Sequence, residues 1–307
     1  MKILITGSEG FVGKNLLVYL KSEGFLVFAP TFSELDLSDA SAVKAYLALN
    51  QFDVIVHCAT TDRTNFGYPS EVLRNNLAMF FNLLHNKAQN TRLINLGSGS
   101  EYSREYWQPN MPETYLGAYV PADDHSYAKY LISRYIDDLK DFNVTTLRIF
   151  GIFGPYEDYK SKFISNCIAK NLAGLNIEIF KNTYYDYVYV DDFCRIVKEM
   201  LDTPWQETSY NVTSGKRIDL LSLARLVTNN SKNNTSISIL NEGLGVEYSG
   251  CNKRIKSLLP NFSFSKMEDS VNKLYAFYQE QASSIEVDAL KKDDYLQYAK
   301  SIQKVTQ

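Results

Sequence analysis

The chain has 307 residues and a formal charge of −3, with a pI near 5.7, a balance that argues against nucleic acid or an anionic membrane as its main partner. Apolar residues make up 45% and charged residues 22%, enough for a real core in one large α/β unit or in a nucleotide domain with a smaller partner. No charged leader with an apolar stretch behind it opens the chain, and no apolar run reaches transmembrane length.

Four scattered cysteines (Cys58, Cys167, Cys194, Cys251) read as reduced thiols of a cytoplasmic protein. The three histidines (His57, His85, His125) lack metal-ligand spacing, so no metal is assigned. In chain order, "KILITG" (2–7) is a continuous apolar run, as a strand buried on both faces requires. "VGKNLLVYLKSEG" (12–24) follows with helical spacing and a terminal glycine. "FLVFAP" (25–30), "DVIVHCA" (53–59), "RLINLGS" (92–98) and "VTTLRIFG" (144–151) repeat the strand signal, with helices over 40–50, 70–90 and 125–141. This alternation predicts βαβ units and hence a Rossmann-type doubly wound parallel sheet in an α/β protein.

Beyond residue 155, "SKFISNCIAKNLAG" predicts a helix, "IEIFKNTYYDYVYV" strands, "DDFCRIVKEMLD" a helix and "SYNVTSG" a short strand and turn. Helices over 219–229 and 267–279 and a strand over 236–240 follow. The expected organisation is a dinucleotide-binding domain over 1–155 with a return segment near 191–215. A smaller C-terminal α/β substrate lobe takes 156–190 and 216–280, and 281–307 form a polar helical extension.

"TGSEGFVG" (6–13) sits between the first strand and the first helix. Gly7 allows the tight turn, Gly10 lets backbone approach a pyrophosphate, and Gly13 allows close helix packing. At the end of the second strand, "APTFSELD" puts Thr31 where an acidic residue would hold ribose hydroxyls. No basic residue is near, and Glu9 would repel a 2′-phosphate, which tilts the expectation to NAD with NADP still open. Asp36 is expected either at the adenine edge or as the N-cap of the next helix.

The glycine loop, "VIVHCAT" (54–60), Asn76 and Asn82 in "NNLAMFFN", "LGSGSEY" (96–102), "LRIFGIFGPYEDY" (147–159) and "YVYVDDFCRIV" (187–197) together resemble an extended short-chain dehydrogenase/reductase. The resemblance is closest to the nucleoside-diphosphate-sugar epimerases and reductases and covers roughly residues 1–280. It implies dinucleotide contacts from Gly7, Ser8, Glu9, Gly10, Phe11, Val12, Gly13, Thr31, Asp36 and Leu37. It implies further contacts from Cys58, Ala59, Thr60, Asn76, Lys129, Phe150 and Ile152. It also implies a catalytic Ser, Tyr and Lys, of which Ser98 and Lys129 match the pattern. Where the family has tyrosine, four residues before the lysine and on the same helical face, this chain has His125.

A free imidazole exchanges protons near neutrality, and cations beside it favour its neutral, proton-accepting form. Both a working His125 and a weakened nucleotide-binding homologue therefore remain open. Ser98-Gly99-Ser100 lacks the acids that sugar dehydratases of this family carry there. Ser100 and Lys162 stand where GDP-fucose synthases carry a cysteine and a histidine. The resemblance leaves hydride chemistry at one sugar carbon, C4, as a 4-epimerase with retained NAD or a 4-keto-6-deoxysugar reductase.

Ser98, Ser100, Lys162 and Arg217 are the expected substrate contacts, with Lys253 and Arg254 as further phosphate partners. Trp107 and "MPETY" (111–115) are expected as a lid. Asp191 and Asp192 are expected to cap the helix after them and to tie the lobes together. By analogy with relatives, a homodimer is expected through helices 70–90 and 125–141.

Overall fold

The computed structural model describes residues 1–61, 67–231, 233 and 235–303, so the last four residues of the expected extension lie outside it. The first half alternates as its periodicity requires. β1 (Lys2–Thr6), α1 (Phe11–Ser22), β2 (Leu26–Phe28), α2 (Ala40–Leu49) and β3 (Val54–His57) lead to α3 (Val72–Asn86), β4 (Arg92–Ser98), α4 (Asp124–Leu139) and β5 (Val144–Ile149). β6 (Gly151–Phe153), α5 (Phe163–Leu172), β7 (Ile177–Asn182), β8 (Tyr184–Tyr189), α6 (Val190–Asp202) and β9 (Ser209–Val212) follow. Then come β10 (Arg217–Asp219), α7 (Leu220–Asn229), β11 (Ile237–Leu244), α8 (Lys253–Leu258), α9 (Met267–Glu280), α10 (Val287–Lys292) and α11 (Asp294–Gln303).

A six-stranded sheet runs β2-β1-β3-β4-β5-β9, and every pairing in it is parallel. Successive side chains leave a strand on opposite faces, so β1 feeds two cores. Ile3 and Ile5 pack with Leu16 and Leu20 of α1 and with Ile196 and Val197 of α6. Leu4 packs with Val43 of α2, Phe80 of α3 and Ile132 of α4. The chain steps one way from β1 to β2 and the other way to β3, so a crevice opens at the carboxyl ends of β1 and β3, where such sheets bind ligands.

A third core joins Phe163, Ile164 and Ile168 of α5 to Leu223 and Val227 of α7 and to Leu274 and Tyr278 of α9. It is flanked by a β10-β8-β6 sheet and a β11-β7 pair. α10 and α11 dock through buried Leu290 and Leu296 and a Lys170–Asp293 ion pair at 2.5 Å.

Several local expectations are corrected. The apolar run 144–151 is not one strand, because the chain leaves the large sheet after Ile149 and Gly151 begins β6 against β8. Asp39, not Asp36, caps α2 by accepting the Ser41 and Ala42 N–H groups, while Asp36 closes its own turn on Ser38. Asp191 and Asp192 lie inside the first turn of α6 behind Tyr189, favourable for the helix dipole without being the cap. Asp192 instead accepts the Ser265 N–H and hydroxyl and so fixes the approach to α9.

Candidate active site

Gly7 has φ +67°, and a Cβ there would stand 2.6 Å from the Ala59 backbone. A Cβ on Gly13 would stand 2.2 Å from the Gly7 carbonyl oxygen. Both glycines are thus required by the packing of β1, β3 and α1. Gly10 differs: its nearest neighbour would be the Gly7 oxygen at 3.5 Å, ordinary contact, so the packing alone does not demand a glycine. Its bare α-carbon leaves an open face at the N-terminus of α1, which has no side-chain cap and no acidic residue in its first turn. That is the fit of a pyrophosphate on Phe11, Val12 and Gly13 N–H groups.

The end of β2 supplies the acid that Thr31 lacks. Glu34 turns back to accept the Thr31 N–H at 2.8 Å and its hydroxyl at 3.0 Å. Those bonds, the backbone one first, hold its carboxyl below the usual range. Glu9 accepts the Phe32 N–H, and Ser8 reaches the Ala29 carbonyl. Two carboxylates therefore flank this edge of the crevice, and sequence reading saw one of them.

After β3, Asn76 accepts the Thr61 N–H at 2.8 Å and borders Thr60. Its buried amide nitrogen has no acceptor among the described residues. Leu37 is buried, and its carbonyl accepts from Asn82. Cys58 and Ala59 line the Gly7 turn. The Phe150 ring fills the space beside Gly99 and Gly250 and stacks near Tyr248 at 4.9 Å. It therefore backs the Ser98 turn, while Ile152 packs against the core beneath α1.

Ser98 ends β4 and caps the turn Gly99–Tyr102: its oxygen accepts the Ser100 N–H while Glu101 accepts the Ser98 N–H at 2.8 Å, a capping box. Glu101 and Arg148 pair at 2.7 Å with both side chains fully buried, which locks this turn to β5. The Tyr248 hydroxyl stands against Gly99 of the same turn. Ser100 is buried in the same turn.

One face of α4 carries His125 and Lys129. Lys129 donates to the Leu96 carbonyl at 2.7 Å, and burial lowers its pKa against the opposing pull of Glu101 and Cys58. Burial first, then Lys129, pushes the His125 imidazole down to about 3, with Lys162 adding and Asp123 opposing. One ring nitrogen, Nδ1, is buried without a partner among the described residues. Tyr68 stacks on the imidazole at 4.1 Å and 6°, a contact sequence reading missed. Tyr127 turns to Tyr130 and packs.

Lys162, at the N-cap of α5, brings its charge to His125 and to Glu157. Glu157, unmarked in the sequence reading, is buried with one oxygen on Ser165 and the other without a partner among the described residues, and burial pushes its carboxyl up to about 8. Arg217 pairs with Glu247 at 2.5 Å over the Tyr184 ring, away from the His125 group.

Arg254 binds Ser209 of β9 and Glu207 through Nη1 and comes within 4.0 Å of Glu113 through Nε, so part of this expected phosphate partner is engaged with the protein itself. The expected lid is stitched down, because Met111 exchanges backbone bonds with Ser249 and Cys251, and Glu113 accepts the Asn211 N–H. It is a fixed wall.

His57 accompanies these groups at the end of β3, bonded to Thr6 at 2.8 Å and held near pKa 3 by burial and then Lys129. For His57 and His125 the folded value of about 3 lies below the ordinary 6.5. The unfolded chain therefore takes up protons first as pH falls. Stability is complete above about pH 6.5 and is lost as pH falls toward about 3. Melting curves between pH 7 and 4 should show that decline, and His57→Gln should make it shallower. An unchanged slope in the variant would mean that His57 protonates equally in both states.

The crevice and the glycine loop are those of a dinucleotide-binding α/β protein, with Ser98 at the end of β4 and His125 and Lys129 on one face of α4 beside it. Residues 3–213 match the model of the NAD dependent epimerase/dehydratase family, and the chain belongs to that family. It is thus an enzyme with a nicotinamide dinucleotide as its cofactor class.

The chain is 28% identical to the GDP-L-fucose synthase of Azorhizobium caulinodans over 247 residues, 74% of this chain and 79% of that one. Its fold matches a GDP-mannoheptose C4 reductase from Campylobacter jejuni with NADP bound, at TM-score 0.79 and 18% identity, over 91% of this chain and 98% of that one. It matches a UDP-glucose 4-epimerase from Thermotoga maritima with UDP-glucose, at TM-score 0.76 and 18% identity, over 92% and 99%. Among the described residues no helix is long and apolar enough to cross a membrane, and no cluster of metal-ligating side chains occurs.

Proposed function

We propose that the protein is a nucleoside-diphosphate-sugar 4-epimerase that retains NAD through its cycle. The observation that carries this reading is the neutral imidazole of His125 on the same helical face as Lys129. Burial and then Lys129 push its pKa down, so the resting imidazole is neutral at pH 7. A ketoreductase needs a second proton in place before the chemistry. An epimerase does not: His125 takes the proton of the sugar hydroxyl in one half-reaction and returns it in the other. An imidazolium flanked by Lys129 and Lys162 gives the proton up readily.

The bound cofactor supplies hydride acceptance and return at the sugar carbon. Gly7 to Gly13, Thr60 and Asn76 would hold it, and Lys129 would bind its ribose. Glu9 and Glu34 favour NAD over NADP, since a 2′-phosphate would meet two carboxylates. Ser98, fixed by its capping box, would orient the reacting oxygen. Ser100 would line the sugar, while Lys162 and Arg217 would serve the diphosphate.

Two copies would pair across α3 and α4, where Tyr135 and Leu139 are exposed beside half-buried Phe81. With its free thiols, such an enzyme suits the cytoplasm.

The test is to denature the purified protein and identify the released nucleotide by mass spectrometry. Oxidised NAD in near-stoichiometric amount is expected, followed by interconversion of C4 epimers without added cofactor. An empty protein that takes up NADPH and consumes it with a 4-keto sugar would replace the epimerase with the reductase.

A further inference from the structure

Close after the Ser98 turn, two donors, the Arg104 guanidinium and the Trp107 indole N–H, stand together. Arg104 begins the short turn Arg104–Tyr106 just after the Ser98 turn. Its guanidinium lies 4.8 Å from the Trp107 ring and 5.9 Å from the ring of Tyr298, on α11. Trp107 in turn stacks on Tyr248 at 4.0 Å, and the Tyr248 hydroxyl stands against Gly99, next to Ser98.

Arg104 is half-buried yet has no ion pair among the described residues. The carboxylate whose charge reaches it, Asp123, is already used to cap α4 through the Ser126 N–H. Beside it the Trp107 indole N–H is buried without an acceptor among the described residues. A desolvated cation and an orphan N–H in one place cost stability unless a ligand completes them. What completes both is an anion with at least two acceptor oxygens.

A nucleotide sugar has two places for such a group, its diphosphate and its sugar. The cations proposed for the diphosphate, Lys162 and Arg217, come from the second half of the chain. Arg104 lies on the Trp107–Tyr248 ring pair, whose hydroxyl end stands against Gly99, next to Ser98, which puts it on the side of the reacting sugar.

We propose that Arg104 and the Trp107 indole recognise a carboxylate on the sugar, so that the substrate is a nucleoside-diphosphate hexuronate and Tyr298 holds the guanidinium in place. This rests on the nucleotide-sugar reading above. It gives the C-terminal extension a role, since α11, pinned by the Lys170–Asp293 pair, forms one side of the Arg104 cage.

The experiment is calorimetry on the NAD-loaded protein with UDP, a UDP-hexose and the matching UDP-hexuronate, repeated with the guanosine series. The hexuronate should bind about tenfold or more tighter than the hexose, the gain of a charge-assisted bond. Arg104→Met should bring the two dissociation constants within about threefold of one another. Arg104→Lys, which keeps the charge, should retain part of the preference, and it carries the test if the methionine variant does not fold.

Equal binding of hexose and hexuronate by the unaltered protein, with UDP or GDP also bound, would overturn the inference alone. So would an Arg104→Met variant that weakens UDP or GDP as much as the hexuronate, since Arg104 would then hold the diphosphate. Failure of every nucleotide and nucleotide sugar to bind would overturn the nucleotide-sugar reading and this inference with it.

Discussion

Replacing His125 with alanine should lower kcat by about 10²- to 10⁴-fold, the usual worth of a positioned general acid/base, and change dinucleotide affinity little. Lys129 keeps its bond to the Leu96 carbonyl without His125. The loss should therefore fall on the chemical step.

The pH profile of the unaltered enzyme gives a second readout. Only the neutral imidazole accepts a proton, and its pKa is held near 3. Activity should then stay level from pH 8 to about 5 and fall only as pH approaches 3, within the range where the fold survives. An inflection near 6.5 would show an ordinary histidine and remove the argument for the epimerase over the reductase. Full activity in His125→Ala would remove His125 from the chemistry altogether. No turnover in either protein, with dinucleotide affinity preserved, would leave a nucleotide-binding homologue.

The features legible in sequence were those governed by backbone geometry. The glycine spacing could be read because Gly7 needs positive φ and Gly13 has no room for a side chain. His125 and Lys129 could be placed together because a four-residue step shares a helical face. The alternation of apolar runs likewise predicted the large parallel sheet, since strands buried on both faces leave that pattern.

What escaped depends on side chains that meet only after folding. Glu34 replaces the acid missing at Thr31 by turning back three residues. Tyr68 reaches His125 from a segment with no periodic signal. Arg148, inside an apolar strand, is explained only by its partner Glu101, 47 residues away in sequence. Arg254 and the "MPETY" loop looked available for ligand and for motion, but β9 engages part of the guanidinium and Ser249–Cys251 bind the loop.

Arg148→Met should be the most destabilising single change in the sheet, costing about 3–5 kcal/mol. Nε of Arg148 donates to Glu101 at 2.7 Å, and neither side chain reaches solvent. Methionine fills much of the volume but leaves the Glu101 carboxylate buried beside it without a cation. The remaining bond from the Ser98 N–H cannot offset that desolvation.

Thermal unfolding should drop by roughly ten degrees for a chain of this size. The Glu101→Gln/Arg148→Met double variant should recover a large part of the loss, because the cost lies in the lone charge more than in the missing bond. Its amide can still accept from the Ser98 N–H, so the double variant should also regain more activity than Arg148→Met. If Arg148→Met melts within about two degrees of the unaltered protein, a cost near 1 kcal/mol or less, then the Glu101–Arg148 pair is not what fixes the Ser98 turn. The Ser100 N–H would be left to hold the serine.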